Sequence, residues 1–243
     1  TDGMLGSRLF HFLSNNHDVM KFQGDVTDTE HWNKYDEKID LIIHLAALAG
    51  VRDSMLYPEK YYKANVIGTK NMFEFAQDAV IDKVLYASSS NAWEWWSNPY
   101  AATKKMNEVQ AMSYSTPSIG MRFHTIWPGR QDMLFRKFEN NEVTYINKNH
   151  YRDFIHVIDL MSAIDILVDH FEEITDPVVD IGTGTSVSVA EVAKLFNFDG
   201  TWIKTNPVGE RIKTHADVDW LLSYGWNPRY NILNKEHHTD YVT

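Results

Sequence analysis

The sequence predicts an α/β fold in which helices cover a mainly parallel, doubly wound β-sheet. Two observations support this prediction. Short apolar runs alternate along the chain with longer amphipathic segments, which is the pattern of repeated β-α-β units. The chain also opens with Gly3 and Gly6 directly ahead of an amphipathic stretch, which is typical of a turn that presents a helix N-terminus to a phosphate group. With 243 residues, 44% of them hydrophobic, the chain can bury one large core and the core of a small second domain.

Strands and helices follow from this pattern in chain order. The helices are predicted from apolar residues that recur at the helical period, and the strands from short apolar runs. Two helices carry start signals: Asn98 and Pro99 precede one, and Ser188 with Glu191 forms a capping box for another. The predicted strands are residues 18–22, 41–44, 83–87, 119–123, 143–146 and 178–181, and the predicted helices are residues 5–13, 58–77, 100–114, 157–171 and 189–196.

Composition argues against several classes of function. The net charge of −10 disfavours nucleic-acid binding, because neutralising phosphates requires a basic surface. No apolar run reaches the roughly 18 residues that a membrane span needs, so no membrane partner is expected. The absence of cysteine excludes disulfides and thiolate metal sites and fits a cytoplasmic protein. The eleven histidines show no metal-ligand spacing, so no metal is expected.

Tyr100 and Lys104 are the most informative pair of residues in the chain. A spacing of four places the phenol and the ammonium on one face of a helix, one turn apart. Free tyrosine has a pKa of about 10, so a tyrosine base that works near pH 7 needs about 4 kcal/mol of help, which a nearby positive charge can supply. The serine run Ser88, Ser89 and Ser90 precedes this pair, and a serine hydroxyl beside the phenol can share the substrate's proton. The spacing by itself is equally that of a solvated helix face, and the catalytic roles of Ser89, Tyr100 and Lys104 are implied by the family that the surrounding residues resemble.

The residues around this trio resemble a known family. The stretch L-Y-A-S-S-S at residues 85–90, followed by Y-A-A-T-K-K-M-N-E at residues 100–108, resembles the extended short-chain dehydrogenases/reductases. Within them it is similar to the NAD-dependent epimerase/dehydratase family, and above all to UDP-glucuronate 4-epimerases. The similarity runs from the glycine turn to about Pro228. It implies a Rossmann-type sheet, a homodimer and a register in which Ser89 takes the position of the catalytic serine.

The resemblance also assigns residues to a bound dinucleotide. The opening residues match the end of a G-x-x-G-x-x-G loop, so the first strand of the sheet and the first glycine are expected to be missing from this chain. Gln23 stands where the family has an acid that holds the adenosine ribose, which leaves both NAD and NADP open. Asp25 and Val26 match the adenine contact, and a turn before a helix explains them equally well. The implied cofactor residues are Gly3, Met4, Leu5, Gly6, Asp25, Val26, Leu45, Ala46, Ala47, Asn65, Tyr100 and Lys104.

Six residues are assigned to a UDP-sugar substrate in the same way. Thr125 and Arg130 match two residues that are associated with the sugar carboxylate in glucuronate epimerases, within a segment shortened by two residues. Arg152, in R-D-F-I-H-V-I-D, matches an arginine that contacts the nucleotide diphosphate. Ser90 and Asn91 stand where dehydratases carry Asp and Glu, which argues against a dehydratase. The implied substrate residues are Arg52, Ser90, Thr125, Arg130, Arg152 and Arg211.

The predicted organisation is a dinucleotide-binding Rossmann domain of residues 1–126 and 151–182, with a small substrate-binding domain of residues 127–150 and 183–243. The predicted function is 4-epimerisation of UDP-glucuronate or a related UDP-sugar, by transient oxidation at C4 with NAD. Two alternatives stay open. Gln23 and the compressed N-terminal half favour an NADPH-dependent reductase of nucleotide 4-keto sugars. The missing strand and shortened loops favour a non-catalytic dinucleotide-binding regulator. The intact set Ser89, Tyr100 and Lys104 argues against such a regulator.

Overall fold

The computed structural model describes residues 3–35, 38–205 and 207–239, so Thr1 and Asp2 of the predicted glycine turn lie outside the described residues. The α-helices are α1 (Met4–Leu13), α2 (Thr29–Trp32), α3 (Val51–Leu56), α4 (Pro58–Tyr61), α5 (Gly68–Asp78), α6 (Pro99–Ala111), α7 (Leu134–Glu139), α8 (Val157–Asp169), α9 (Val189–Leu195) and α10 (Asp219–Ser223). The strands are β1 (Leu41–His44), β2 (Lys83–Ser89), β3 (Ser118–Phe123), β4 (Thr125–Trp127), β5 (Tyr145–Asn147), β6 (Tyr151–His156), β7 (Val178–Ile181), β8 (Ser186–Ser188) and β9 (Thr201–Ile203). A π-helix covers Tyr62–Ile67, and 3₁₀ segments cover Ser90–Ser97, Phe171–Glu173 and Lys235–Thr239.

The main sheet has four strands in the order β1-β2-β3-β7. β1 and β2 are parallel, with Leu41 opposite Lys83 and His44 opposite Tyr86. β2 is buried along almost its whole length, as expected for a strand in a parallel sheet whose two faces are covered. In a second sheet of order β4-β6-β8, β4 runs parallel to β6 and β8 runs antiparallel, and β5 and β9 form a parallel pair. The predicted α/β fold with a mainly parallel sheet is confirmed.

The strand predicted at residues 18–22 is wrong, because the backbone there is irregular. A strand is held by hydrogen bonds to a neighbouring strand, and none of the described strands pairs with these residues. The side chain of Tyr35 satisfies part of this backbone instead. Its hydroxyl accepts a hydrogen bond from the Gln23 N–H and donates one to the carbonyl of Lys21.

Two predicted helix features also differ in the structure. The helix predicted at residues 58–77 is divided into α4, the π-helix and α5. The capping box predicted at Ser188 does not form: Ser188 is the N-cap of α9, but its side chain makes no capping hydrogen bond. The Ser188 backbone is the end of β8, where it pairs with Tyr151. The other predicted strands and helices are present, with ends that differ by up to three residues.

The chain divides into two compact units, each of which has its own core. The first unit comprises Thr1–Arg122 and Ile174–Val179, and the second comprises Phe123–Glu173 and Asp180–Thr243. The predicted domain limits, 1–126 with 151–182 and 127–150 with 183–243, stay a prediction. A cluster in the first unit contains Trp32, Met72, Phe73, Ala76, Ile81, Val84, Tyr86 and Ala111. A cluster in the second contains Trp127, Phe135, Phe138, Ile146, Phe154, Val189, Val192, Ala193 and Ile232.

The buried carboxylate of Asp153 organises part of the second unit. It accepts hydrogen bonds from the N–H groups of Thr183, Gly184 and Ala216 at 2.7, 2.9 and 3.1 Å, and from the Thr183 hydroxyl at 2.8 Å. Backbone N–H groups that are buried away from water need such partners. The contacts join β6 to two distant loop segments, and they therefore fix the strand that also carries Arg152.

Candidate active site

The first turn of α6 positions Tyr100. Asn98 is the N-cap, and its side-chain oxygen accepts a hydrogen bond from the Ala101 N–H at 2.8 Å. Pro99 occupies the first helical position, where the missing N–H of proline costs nothing. The predicted start of this helix is therefore confirmed to within one residue. Tyr100 is half-buried, and its ring meets that of Tyr61 edge to face with 6.2 Å between the ring centroids.

Lys104 lies one turn further along α6 and is almost completely buried. Its side chain is 3% exposed, and its Nζ donates a hydrogen bond to the carbonyl oxygen of Ala87 at 2.8 Å. Burial lowers the pKa of Lys104 to about 7, because a charged ammonium loses its hydration in the interior. Ala87 lies on β2, two residues before Ser89. This single contact therefore joins the helix of Tyr100 to the strand of Ser89.

Ser89 is the last residue of β2 and is 4% exposed. Its Oγ accepts hydrogen bonds from the backbone N–H of Asn91 at 3.2 Å and from the Asn91 side-chain amide at 3.3 Å. A serine hydroxyl has two acceptor positions and one hydrogen to donate. Because Asn91 occupies the acceptor side, Ser89 is arranged to act as a hydrogen-bond donor.

Asn65 anchors the loop that follows β1. Its Oδ1 accepts a hydrogen bond from the Leu48 N–H at 2.7 Å, and its Nδ2 donates to the Leu48 carbonyl and to the Thr103 hydroxyl, both at 3.0 Å. Asn65 is fully buried within the π-helix, a form that is frequent at functional sites. It thereby ties the loop containing Leu45, Ala46 and Ala47 to α6.

Replacing Asn65 with alanine is expected to lower the free energy of unfolding by about 3 kcal/mol, because it leaves buried groups of Leu48 and Thr103 without a partner. Urea unfolding followed by circular dichroism measures this change. Asn33→Ala, at an exposed position, is the control and should change the free energy by less than about 0.5 kcal/mol. Equal losses in both variants would contradict the anchoring role of Asn65.

A neutral histidine lies beneath the same helix. Burial, together with the charge of Lys104, lowers the pKa of His44 to about 3. Its Nε2 lies 3.2 Å from the Thr69 hydroxyl, which also accepts a hydrogen bond from the Asn107 side chain at 3.1 Å. His44 is therefore an uncharged polar link between β1, α5 and α6.

The N-terminus of α1 fits the predicted dinucleotide. Gly3 is the N-cap in an extended conformation without a side-chain capping bond, and a Cβ atom built there would meet nothing within 4 Å. The first-turn N–H groups, those of Met4, Leu5 and Gly6, have no partner within the helix, as at any helix N-terminus, and they suit a pyrophosphate.

Asp25 lies in a turn before α2. Such a turn is the alternative explanation for the match of Asp25 and Val26 to the adenine contact. The N–H and the hydroxyl of Thr27 both donate to its carboxylate at 2.8 Å, and these bonds lower the pKa of Asp25. The carbonyl of Val26 accepts hydrogen bonds from the side chains of Trp32 and Asn71. Contact of Asp25 and Val26 with adenine stays a prediction.

The remaining substrate candidates divide between the two units. Arg52, on α3, and Ser90 lie in the first unit, and Thr125, on β4, lies in the second with Arg130, Arg152 and Arg211. Arg130 holds Asp132 through two parallel hydrogen bonds, Nε to Oδ1 at 2.9 Å and Nη2 to Oδ2 at 2.8 Å. The Nη1 of Arg152 donates hydrogen bonds to the carbonyls of Tyr151 and Ile212 at 2.8 and 3.1 Å. Ile212 directly follows Arg211 in the chain, so the guanidinium of Arg152 lies close to the backbone next to Arg211.

Comparison with known proteins decides the family. Residues 2–182 match the model of the NAD dependent epimerase/dehydratase family. This chain belongs to that family. Membership confirms the predicted NAD cofactor, whereas NADP, the homodimer and the cytoplasmic location stay predictions.

Several known proteins are similar to the chain. An uncharacterised protein of Methanocaldococcus jannaschii is 39% identical over 158 residues, which cover 54% of this chain and 48% of that protein. A probable UDP-glucuronate 4-epimerase of Rhizobium meliloti is 34% identical over 151 residues, 51% of this chain and 44% of that protein. The chain thus spans about half the length of these curated relatives. The solved structure of MoeE5 in complex with UDP-glucose and NAD has a TM-score of 0.79 at 25% identity, covering 97% of this chain and 93% of that chain.

Some residues of this epimerase/dehydratase site escaped prediction from sequence. His44, Thr103 and Glu108 are polar residues that become buried around the candidate catalytic residues. Thr103 and Glu108 lie within the stretch Y-A-A-T-K-K-M-N-E that carries the family resemblance, but no role was predicted from the sequence for any of the three residues. Among the described residues, no group of His, Cys, Asp and Glu could hold a metal ion. Nor does any described helix have the length and apolarity needed to cross a membrane.

Proposed function

We propose that the protein is an NAD-dependent 4-epimerase of a nucleotide sugar, with UDP-glucuronate or a related UDP-sugar as its substrate. The observation that carries this proposal is the hydrogen bond from Lys104 to Ala87, because it brings the helix of Tyr100 to the strand of Ser89. The names of relatives support the substrate class, as do the complexes of MoeE5 with UDP-glucuronic acid and with UDP-glucose.

Each residue of the trio has a role in this reaction. NAD, when bound, would accept a hydride from C4 of the sugar, and epimerisation requires that the 4-keto sugar turn over so that the hydride returns to its other face. Tyr100 takes the proton of the 4-hydroxyl as a general base and later returns it. Ser89 donates its hydrogen toward the same oxygen, because Asn91 already occupies its acceptor side. Lys104, when protonated, stabilises the phenolate electrostatically.

The arginines of the second unit supply the chemistry for an anionic substrate. Arg130 already presents its fork to a carboxylate, that of Asp132, and a sugar carboxylate offers the same pair of oxygens. We assign Arg130, with Thr125, to the carboxylate of the sugar. Arg152 and Arg211 are assigned to the diphosphate, and Arg52 and Ser90 are assigned to the substrate by family resemblance.

Proton NMR of the purified protein with UDP-glucuronate and catalytic NAD⁺ tests the proposal. Conversion to UDP-galacturonate without net NADH is the expected result. No reaction with UDP-glucuronate, but epimerisation of another UDP-sugar, would limit the failure to the choice of sugar.

Two other results would replace the proposal. Stoichiometric NADPH consumption with a nucleotide 4-keto sugar would establish the reductase, which Gln23 favours because no acid stands at that position. Binding of NAD without turnover of any of these substrates would establish a non-catalytic regulator. A dehydratase is not among these alternatives, because Asn91 stands where dehydratases carry a carboxylate that acts as a general acid or base.

We also propose a homodimer formed through α6. Met106, Val109 and Met112 follow one another at three-residue spacing along this helix or its end, and they are 41%, 55% and 82% exposed. Residues with this spacing share one side of a helix, and an exposed apolar stripe favours contact with another copy. Sedimentation equilibrium should give twice the mass of 28.2 kDa, and Met112→Glu should shift it toward the monomer. A wild-type chain that stays monomeric would contradict the dimer.

A further inference from the structure

Glu108 lies at the centre of a buried charged network in the first unit. Its Oε1 accepts hydrogen bonds from Ser88 Oγ at 2.6 Å and from Arg122 Nε at 2.7 Å. Its Oε2 accepts from Arg122 Nη2 at 2.7 Å and from Lys105 Nζ at 3.0 Å. Burial alone would raise the pKa of the Glu108 carboxyl, but the hydrogen bonds from Arg122 and Ser88 hold it below its usual value. Glu108 and Arg122 are only 5% and 9% exposed, so they form a buried, bidentate ion pair.

Arg122 also contacts an aromatic ring. Its guanidinium carbon lies 4.1 Å from the centroid of the Trp93 ring. A planar guanidinium can stack on a ring while its edge holds a carboxylate. Trp93 belongs to the 3₁₀ segment that lies in the chain between Ser89 and Tyr100. The network therefore reaches from the interior to the segment next to the candidate catalytic residues.

Stability alone does not explain this arrangement. Removing two charges from water costs about as much as their attraction returns, and apolar residues of similar volume are often neutral or stabilising at such sites. Three contacts, Ser88 with Glu108, Glu108 with Arg122 and Arg122 with Trp93, do, however, connect four different elements. These elements are β2 through Ser88, α6 through Glu108, β3 through Arg122 and the 3₁₀ segment through Trp93. The position of the Glu108–Arg122 pair, where these elements meet, is therefore explained by a role in holding the elements in place.

We infer that the Glu108–Arg122 pair positions the active site, by holding the end of β2 at Ser89 and the Trp93 segment against α6. This inference rests on the proposed function. Glu108 and Arg122 are positioning residues, which act through Ser88 and Trp93. A displacement of reacting groups by about 1 Å can cost roughly 100-fold in rate, so loss of the pair should reduce turnover while the fold persists.

The test is the double variant Glu108→Leu with Arg122→Met, which replaces the ion pair by apolar side chains. The matched control is Arg136→Met with Glu139→Leu, which removes an Arg–Glu pair on α7 whose Nη1 and Oε2 lie 2.8 Å apart. Four quantities are compared: kcat, the KM of the UDP-sugar, the Kd of NAD, and amide hydrogen exchange of residues 88–97 measured by mass spectrometry. Urea unfolding of each variant reports its stability.

The expected result distinguishes a role of the pair in positioning the active site from a role in the stability of the fold. The Glu108–Arg122 variant should lose roughly 10- to 100-fold in kcat, and its residues 88–97 should exchange about 10-fold faster, with an unchanged urea midpoint and NAD affinity. The control variant should keep all of these values. Unchanged exchange of residues 88–97 would overturn the inference, as would a loss of kcat that follows a lowered urea midpoint.

Two further measurements keep the inference testable. If the double variant does not fold, Trp93→Leu removes the ring contact alone and should speed exchange of residues 88–97, while Trp93→Phe keeps an aromatic face and should restore the wild-type rate. Equal exchange in the two Trp93 variants would overturn the inference. If the wild-type chain turns over no UDP-sugar, the proposed function fails, and exchange of residues 88–97 decides the positioning role by itself.

Discussion

Replacing Tyr100 with phenylalanine is expected to lower kcat by about 10²- to 10⁴-fold, the usual contribution of a general acid or base. The substitution removes only the hydroxyl. The ring keeps its edge-to-face contact with Tyr61, whose centroid lies 6.2 Å away, so the active-site structure should persist. Conversion of the UDP-sugar, followed by NMR, measures the loss, and a fluorescence titration measures the affinity for NAD, which should change by less than about threefold.

The control for this prediction is Tyr62→Phe, the same chemical change at a tyrosine that is 46% exposed on the π-helix. It should leave kcat within about twofold of the wild-type value. Turnover by Tyr100→Phe at the wild-type rate would exclude Tyr100 as the base, and with it the proposed mechanism. A parallel loss in both variants would show that the effect is not specific to the phenol of Tyr100.

Replacing Lys104 with methionine is expected to change how stability depends on pH. Burial lowers the pKa of Lys104 from 10.5 to about 7 in the folded chain. Between these values the unfolded chain holds a proton that the folded chain lacks, so the free energy of unfolding rises with pH, by up to about 1.4 kcal/mol per pH unit. Below pH 7 the folded chain must bury the charge, and this stabilisation is absent.

The Lys104→Met variant has no amine at this position and should lose that rise. Relative to the wild type, it should be most stable near pH 6, and the advantage should shrink by about 2 kcal/mol or more by pH 9. Urea unfolding at pH 6, 7.5 and 9 measures this difference. Lys63→Met, at an exposed position, serves as the control and should keep the wild-type slope. If the free energy of unfolding changed with pH in the same way in Lys104→Met and in the wild type, the lowered pKa of the buried Lys104 would be contradicted.

Features that depend on neighbouring residues in the chain were predicted well from the sequence. The start of α6 is one example, since Asn98 caps the N–H of Ala101, three residues away. The four-residue spacing of Tyr100 and Lys104 on that helix is another. The β1 strand also has the predicted limits, Leu41 to His44, at the start of the short apolar run that predicted it. These features could be predicted because the residues that determine each of them lie within one helical turn or one short run of the sequence.

The errors share a different cause. The apolar pattern at residues 18–22 indicates a strand, but a strand exists only where another strand pairs with it. The helix of residues 58–77 has a continuous helical pattern, yet a π-helix interrupts it where Asn65 binds Leu48, seventeen residues earlier. Ser188 carries a capping signal, and its backbone instead belongs to β8. In each case the difference goes with the absence of a distant partner, at residues 18–22, or with the presence of one, at Asn65 and Ser188.

The sequence by itself indicated the family, the α/β class with a mainly parallel sheet, and the residue types of the candidate site, but it did not predict β4, β6, β8 and β9. Only the tertiary structure decided which polar side chains are buried together. Lys104 meets Ala87 across seventeen residues, and Glu108 meets Arg122 across fourteen. The physical reason is that the energy of a charge depends on its burial and on its partners, and both are properties of the packed chain, which local sequence patterns do not contain.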